Sequence, residues 1–149
     1  MNPIFTLLEI VHCNEIYLAN TGNVAEYFFD FADLDETEQW IKKTLVEVSE
    51  WKKLEFTVFD WVIFVWMAAI WLQPKNVGEI SLWVTPSQQN HWYWKQMISF
   101  LIWKARELKL SKLQYTVSKE NIASNMLIRN FWFEIVDLAQ HSTIYSLVL

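Results

Sequence analysis

The sequence predicts a mixed α/β fold, a central and mostly antiparallel sheet flanked by helices. Three observations carry that expectation. Short apolar runs interleave with two strongly periodic helical segments. The last two runs read as a closing hairpin. Composition is that of a packed chain, 53% hydrophobic against 19% charged, which argues against disorder. A length of 149 residues suits one domain, residues 1–149, with a sizeable core.

Each element follows from local signals. Ile4 to Val11, apolar with Thr6 and Glu9 interposed, reads as a first strand. His12 to Asp33 reads as an irregular helix followed by an aromatic loop at Tyr27, Phe28, Phe29 and Phe31. Core packing is the plainer role for that cluster, an acceptor pocket the sharper one. Asp35 with Glu38 three residues on has the form of a capping box, and Ile41, Leu45 and Val48 recur at helical spacing. An amphipathic helix is expected over Asp35 to Glu50.

Leu54 to Phe59 and Val62 to Leu72 read as strands joined at Asp60-Trp61. A two-residue hairpin there favours Asp-Gly, because its turn needs positive φ. Tryptophan at that point strains the turn or forces a longer loop. After the turn-like Gln73-Pro74-Lys75-Asn76, Val77 to Val84 is the next strand. Ser87 to Leu108 is the longest helix, with Met97, Leu101, Ala105 and Leu108 on one face. Leu113 to Val117 is a strand, and Asn121 is a suitable N-cap for Ile122 to Asn130. Phe133 to Leu138 and Thr143 to Leu149 close the chain.

Charge and cysteine usage narrow the function. A net charge of −5 leaves no basic footprint for nucleic acid and suits a cationic substrate better. The longest uncharged apolar run, Trp61 to Leu72, is well short of the roughly 20 residues that cross a bilayer. No membrane association is expected. The start of the chain lacks a basic region with a cleavage site, and Cys13 is a single cysteine, so a cytoplasmic protein is expected. His12, His91 and His141 show no metal-ligand spacing with Cys13, so no metal is expected.

The informative stretch is Gly78 to Phe133. It runs GEISLWVTP, SQQNHWYWKQMISFLIWKAREL, KLQYTV and NIASNMLIRNFWFEIV. That order resembles the cofactor-binding half of the GNAT superfamily of acetyl-CoA-dependent N-acetyltransferases. Val84-Thr85-Pro86 matches the family's strand end. Gln89 to Trp94 lies on its Arg/Gln-x-x-Gly-x-Gly/Ala signature, with Trp92 and Trp94 at the small-residue positions. Asn121-Ile122-Ala123-Ser124 matches the asparagine-led helix, and Phe131 to Glu134 the Gly-Phe-Glu corner, with Trp132 for glycine. A capped helix bearing Trp40 and then a hairpin looks like the RimJ/RimL branch, which acetylates protein N-termini. The likeness covers roughly residues 4 to 138.

What the resemblance implies is a site made mainly of backbone. A strand parts from its neighbour and shows main-chain groups to the pantetheine arm, and the following helix N-terminus holds the pyrophosphate. The implied cofactor contacts are Trp83, Val84, Gln89, Asn90, His91, Trp92, Tyr93, Trp94, Lys95, Asn121, Ser124 and Asn125. Glu79, which alternates with Ser81 and Trp83 on one strand face, is the general-base candidate, against the plainer reading of a solvated strand-start carboxylate. Many family members place a tyrosine acid seven residues after the asparagine. That position is Ile128 here, so the role is vacant or filled elsewhere, and Ser124 is a candidate near the leaving thiol. The implied function is acetyl transfer from acetyl-CoA to an amine, on a protein N-terminus or a small molecule.

Two counts complicate this. The chain has 2 glycines where average usage gives on the order of ten, and 10 tryptophans. By the family pattern, eight tryptophans stand where a small residue is natural: Trp51, Trp61, Trp66, Trp71, Trp92, Trp94, Trp103 and Trp132. Trp40 and Trp83 look native. Either glycine has been replaced systematically, or the chain is a naturally tryptophan-rich, degenerate homologue. As written, Trp92 and Trp94 crowd the phosphate loop, so weak or absent acetyl-CoA binding is expected. The alternative function is therefore a catalytically silent GNAT-fold binding protein. A carrier of apolar ligands is the weaker third reading.

Overall fold

A computed structural model describes residues 3–20, 31–61, 63–84 and 93–149. Among the described residues, seven strands form one sheet in the order β1-β2-β3-β4-β5-β7-β6. They are β1 (Ile4–Leu7), β2 (Lys53–Asp60), β3 (Ile63–Gln73), β4 (Val77–Val84), β5 (Lys112–Ser118), β6 (Glu134–Leu138) and β7 (Ser142–Val148). Every pairing is antiparallel except β4 with β5, which is parallel. The mixed, mostly antiparallel expectation holds.

Four α-helices are described: α1 (Cys13–Asn20), α2 (Leu34–Ser49), α3 (Tyr93–Glu107) and α4 (Ile122–Arg129). Each sheet face has its own core. Met97, Ile98, Leu101 and Ala105 of α3 cover Phe56, Ala68, Ile70 and Ile80 on one face. On the other, Ile16 of α1 and Ile41 of α2 pack with Met67 and Trp83. Strand alternation explains the division, since neighbours along β3 and β4 point to opposite faces. No helix among the described residues is long and apolar enough to cross a membrane.

Several boundaries differ from expectation. The first strand stops at Leu7, and Ile10–His12 instead turns as a short 3₁₀ segment into α1. Helix α2 is capped by Asp33, not Asp35: the Asp33 carboxylate accepts from the Glu36 amide at 2.9 Å, and Glu36 reaches back to the Ala32 amide at 2.7 Å. The cap thus lies two residues earlier, because Asp33 is the residue with extended backbone. Asn121 caps α4 as expected, accepting from the Ser124 amide. Of the aromatic loop, Tyr27, Phe28 and Phe29 lie outside the described residues, while Phe31 packs against Trp40.

Gly78 sits where β4 needs no side chain. A Cβ there would lie 2.8–2.9 Å from side-chain atoms of Leu110, Ile70 and Leu113. Left-handed backbone occurs at Trp51, Trp61, Lys75, Asn76, Lys109 and Trp132. The β2–β3 connection is tight rather than a longer loop, because Asp60 pairs with Ile63, and Trp61 in it is left-handed at φ 60°.

Candidate active site

The site begins where β4 leaves β5. Their ladder runs only from Val77↔Lys112 to Glu79↔Gln114, although β4 continues to Val84 and β5 to Ser118. Beyond Glu79 the β4 edge facing β5 has no strand partner among the described residues. Between the diverging strands lies a cavity of about 530 Å³, with Glu79, Ser81, Tyr115, Thr116, Ser118 and Asn121 on its walls.

Glu79 projects into this cleft, half-exposed, and its Oε1 accepts a 3.1 Å hydrogen bond from the Thr116 hydroxyl across the gap. Its alternation with Ser81 and Trp83 is as expected. Tyr115 occupies the same cleft from β5. Burial pushes its phenol above the usual tyrosine range, opposed by a hydrogen bond with Ser124. Sequence reasoning missed Tyr115, because no spacing rule links a strand tyrosine to a serine nine residues later on a helix.

The other implied contacts separate into groups. Ser124 is buried at the first turn of α4, beside Tyr115. Asn125 is committed internally: its amide donates to the carbonyls of Ser118 and Asn121, and its oxygen accepts from the Tyr145 hydroxyl at 2.8 Å. Its side chain therefore serves to dock α4 on β5 and β7. Val84 is buried beneath α3, and Trp83 is buried on the opposite face against Phe64. Both can meet a ligand in the cleft only through their backbone.

Tyr93 turns inward as well, packing its ring on Trp66 and donating from its hydroxyl to buried Asp60 at 2.7 Å. It stands in the first turn of α3. Trp94 is half-buried against the α3-side core, and exposed Lys95 faces a groove beside Phe5 and Trp103. Gln89, Asn90, His91 and Trp92 lie outside the described residues. His12 is drawn into the fold, hydrogen-bonded at Nδ1 with the Glu9 amide and the Thr57 hydroxyl, and burial lowers its pKa. Cys13 donates to the Leu34 carbonyl, and burial raises its pKa, so the thiol is not activated.

A second cavity of about 310 Å³ adjoins the first, sharing Trp71, Ser81 and Leu82 as a common wall. It holds a buried ion cluster. Lys53 Nζ lies 3.2 Å from Glu47 and 3.3 Å from Glu55, and 4.2 Å above the Trp71 ring. Burial pushes the Glu55 carboxyl up to about 7, against the opposing pull of Lys53. The register places Lys53, Trp71 and Glu79 side by side on one sheet face.

The comparisons with known proteins agree with this geometry. A family model for the acetyltransferase (GNAT) domain matches residues 4–134. No curated protein sequence matches significantly. Among solved structures, the ribosomal-protein alpha-N-acetyltransferase RimL superimposes with a TM-score of 0.91 at 14% identity, covering 100% of this chain and 91% of that one. A Salmonella typhimurium acetyltransferase that modifies the N-terminal serine of a ribosomal protein gives 0.85 at 12%, covering 100% and 96%. Spermidine N-acetyltransferase from Vibrio cholerae, solved with CoA and spermine, gives 0.82 at 16%, covering 98% and 95%. At such identities these structures establish the shared fold, and the family model establishes the membership. The parted strands, the asparagine-capped α4 and the match over residues 4–134 make this chain a member of the GNAT acetyltransferase family.

Proposed function

We propose that the protein transfers an acetyl group from acetyl-CoA to a primary amine, on a protein N-terminus or a small molecule, by direct attack in the β4–β5 cleft. The observation that carries this is the end of the β4–β5 ladder at Glu79, which frees the β4 backbone along a cavity of about 530 Å³. The residues present fit an extended amide-bearing arm, because main-chain groups of an unpaired strand edge supply donors and acceptors for it. Acetyl-CoA supplies the activated thioester and a good leaving group.

The protein's own residues then have definite tasks. Glu79, held by Thr116, takes the proton the amine loses as its nitrogen bonds to the carbonyl carbon. A β4 backbone N–H polarises the carbonyl oxygen. As the carbon–sulfur bond breaks, the Tyr115 phenol, backed by Ser124, returns a proton to the thiolate. Spermidine and RimL-type acetyltransferases, which act on amines, share the fold and support this reading.

A second reading, a silent GNAT-fold binding protein, is favoured by Trp92 and Trp94 at the family's small-residue positions. Acetyl-CoA-dependent thiol release with a panel of polyamines and N-terminal peptides separates the two. Transfer that vanishes in Glu79→Gln supports the enzyme. No release with any amine, from chains with either tryptophan or glycine at positions 92 and 94, supports the binding protein.

A further inference from the structure

We propose that the chain made in its own cell carries glycine at positions 51, 61, 66, 71, 92, 94, 103 and 132, because these eight share the codon UGA and that cell reads UGA as glycine. UGA is one base from the tryptophan codon UGG and one base from the glycine codon GGA, and different genetic codes assign it to either residue. The functional consequence rests on the acetyl-transfer reading above, but the identity of the residues does not.

Three independent turns carry the argument. At the end of α2 the Trp51 amide donates to the Val48 carbonyl, and the Lys52 amide to that of Glu47 at 2.9 Å. This is the Schellman pattern, with Trp51 at the left-handed position that glycine dominates. Trp61 follows directly on the Asp60↔Ile63 pair and is left-handed, at the first position of the β2–β3 turn, where a type II′ hairpin takes glycine. Trp132 is left-handed at φ 66° in the corner leading from α4 to β6. A bulky side chain in this conformation is an outlier that needs compensation. None is visible: the three are 67%, 80% and 85% exposed. Lys109 shows that another long residue reaches the same Schellman position at the end of α3. Of the six left-handed non-glycine residues described, three are thus exposed tryptophans at glycine-type turns, in a chain that has only 2 glycines.

Trp66 supplies an observation of a different kind. It is fully buried between β2 and β4, and its indole Nε1 has no hydrogen-bond partner among the described residues. Buried indole N–H groups are ordinarily paired. Trp71 bears on function, since its indole stands in the wall common to the two cavities. Glycine there joins them, and opens a path from Glu79 toward Lys53 and Glu55. Glycine at 92 and 94 gives the family's phosphate-loop signature its small residues.

The direct test is the gene. UGA at all eight positions, with UGG at Trp40 and Trp83, is the expected result; UGG at 51, 61 and 132 overturns the proposal. Intact mass of the protein from its source cells is the second test. A mass lower by eight tryptophan-to-glycine differences supports it, and a mass matching ten tryptophans overturns it. Thermal unfolding of the triple variant Trp51→Gly/Trp61→Gly/Trp132→Gly reads the backbone argument. A rise in Tm of roughly 5 °C or more is expected for relief at three left-handed sites; an unchanged or lower Tm contradicts it. Codon and mass are independent of catalysis, so eight glycines in a chain that acetylates no amine would sink the enzyme reading alone.

Discussion

The Tyr93 hydroxyl donates to Asp60 Oδ2 at 2.7 Å, linking the first turn of α3 to the tip of the β2–β3 hairpin inside the fold. Asp60 Oδ1 has no other partner among the described residues, so this bond is the main polar satisfaction of that carboxylate. It ties the first turn of α3 to the end of β2. Tyr93→Phe is expected to destabilise the protein by about 1–3 kcal/mol, the usual cost of stranding a buried acceptor. Urea unfolding checks it; a loss below about 0.5 kcal/mol would show the bond to be dispensable.

Glu79→Gln keeps the shape of the side chain and removes its basicity. The expected result is a fall in kcat of about 10²-fold to 10⁴-fold with Tm nearly unchanged. Steady-state kinetics at saturating amine and acetyl-CoA reads it. A variant that keeps its rate removes Glu79 from the proton path.

Tyr115→Phe tests the opposite wall. Burial raises the phenol, so it stays protonated through neutral pH and is competent to donate there. Activity should fall as pH rises through that raised value, and the variant should lose about 10²-fold in kcat. An unchanged alkaline limb in Tyr115→Phe would assign the donor elsewhere.

Glu55 gives a pH signature in stability. Its folded pKa, about 7, lies above its ordinary value of 4.5. The folded chain therefore binds more protons than the unfolded chain between those values. The stability this group contributes is present below pH 4.5 and lost as pH rises to about 7, on the order of 3 kcal/mol at most. Unfolding free energies of the native chain relative to Glu55→Gln, measured from pH 4 to pH 8, should show that decline and then a plateau. A flat difference would mean that Lys53 keeps the carboxylate charged throughout.

Gly78→Ala is expected to cost about 1–3 kcal/mol, since the new methyl meets Leu110, Ile70 and Leu113 at once. A neutral Tm would show that these side chains can withdraw.

The sheet was legible where residues obey one rule at a time. Val77–Val84 follows directly from its alternation and its flanking turn, and Asn121 caps α4 as its type predicts. Asp33 was missed because two aspartates compete for one cap and only backbone conformation decides between them. The Lys53–Glu55–Glu47 cluster was illegible, since no spacing in the sequence links Glu47 of α2 to Lys53 and Glu55 of β2. Burial comes from Trp40 and Trp71, which meet Lys53 only in the folded sheet. The place of Glu79 on the β4 face follows from strand alternation, whereas Tyr115 reaches the cleft only through the parting of two strands.

The most direct test of the central claim is calorimetric titration of acetyl-CoA into the chain carrying Trp92→Gly and Trp94→Gly. If the parted strands and the start of α3 form the acetyl-donor site, binding at one site with a Kd of about 1–100 μM is expected, a range that corresponds to roughly 5–8 kcal/mol. The Trp92/Trp94 form should bind far more weakly. No heat and no saturation with glycine at both positions would contradict the assignment of the β4–β5 cleft as an acetyl-CoA site.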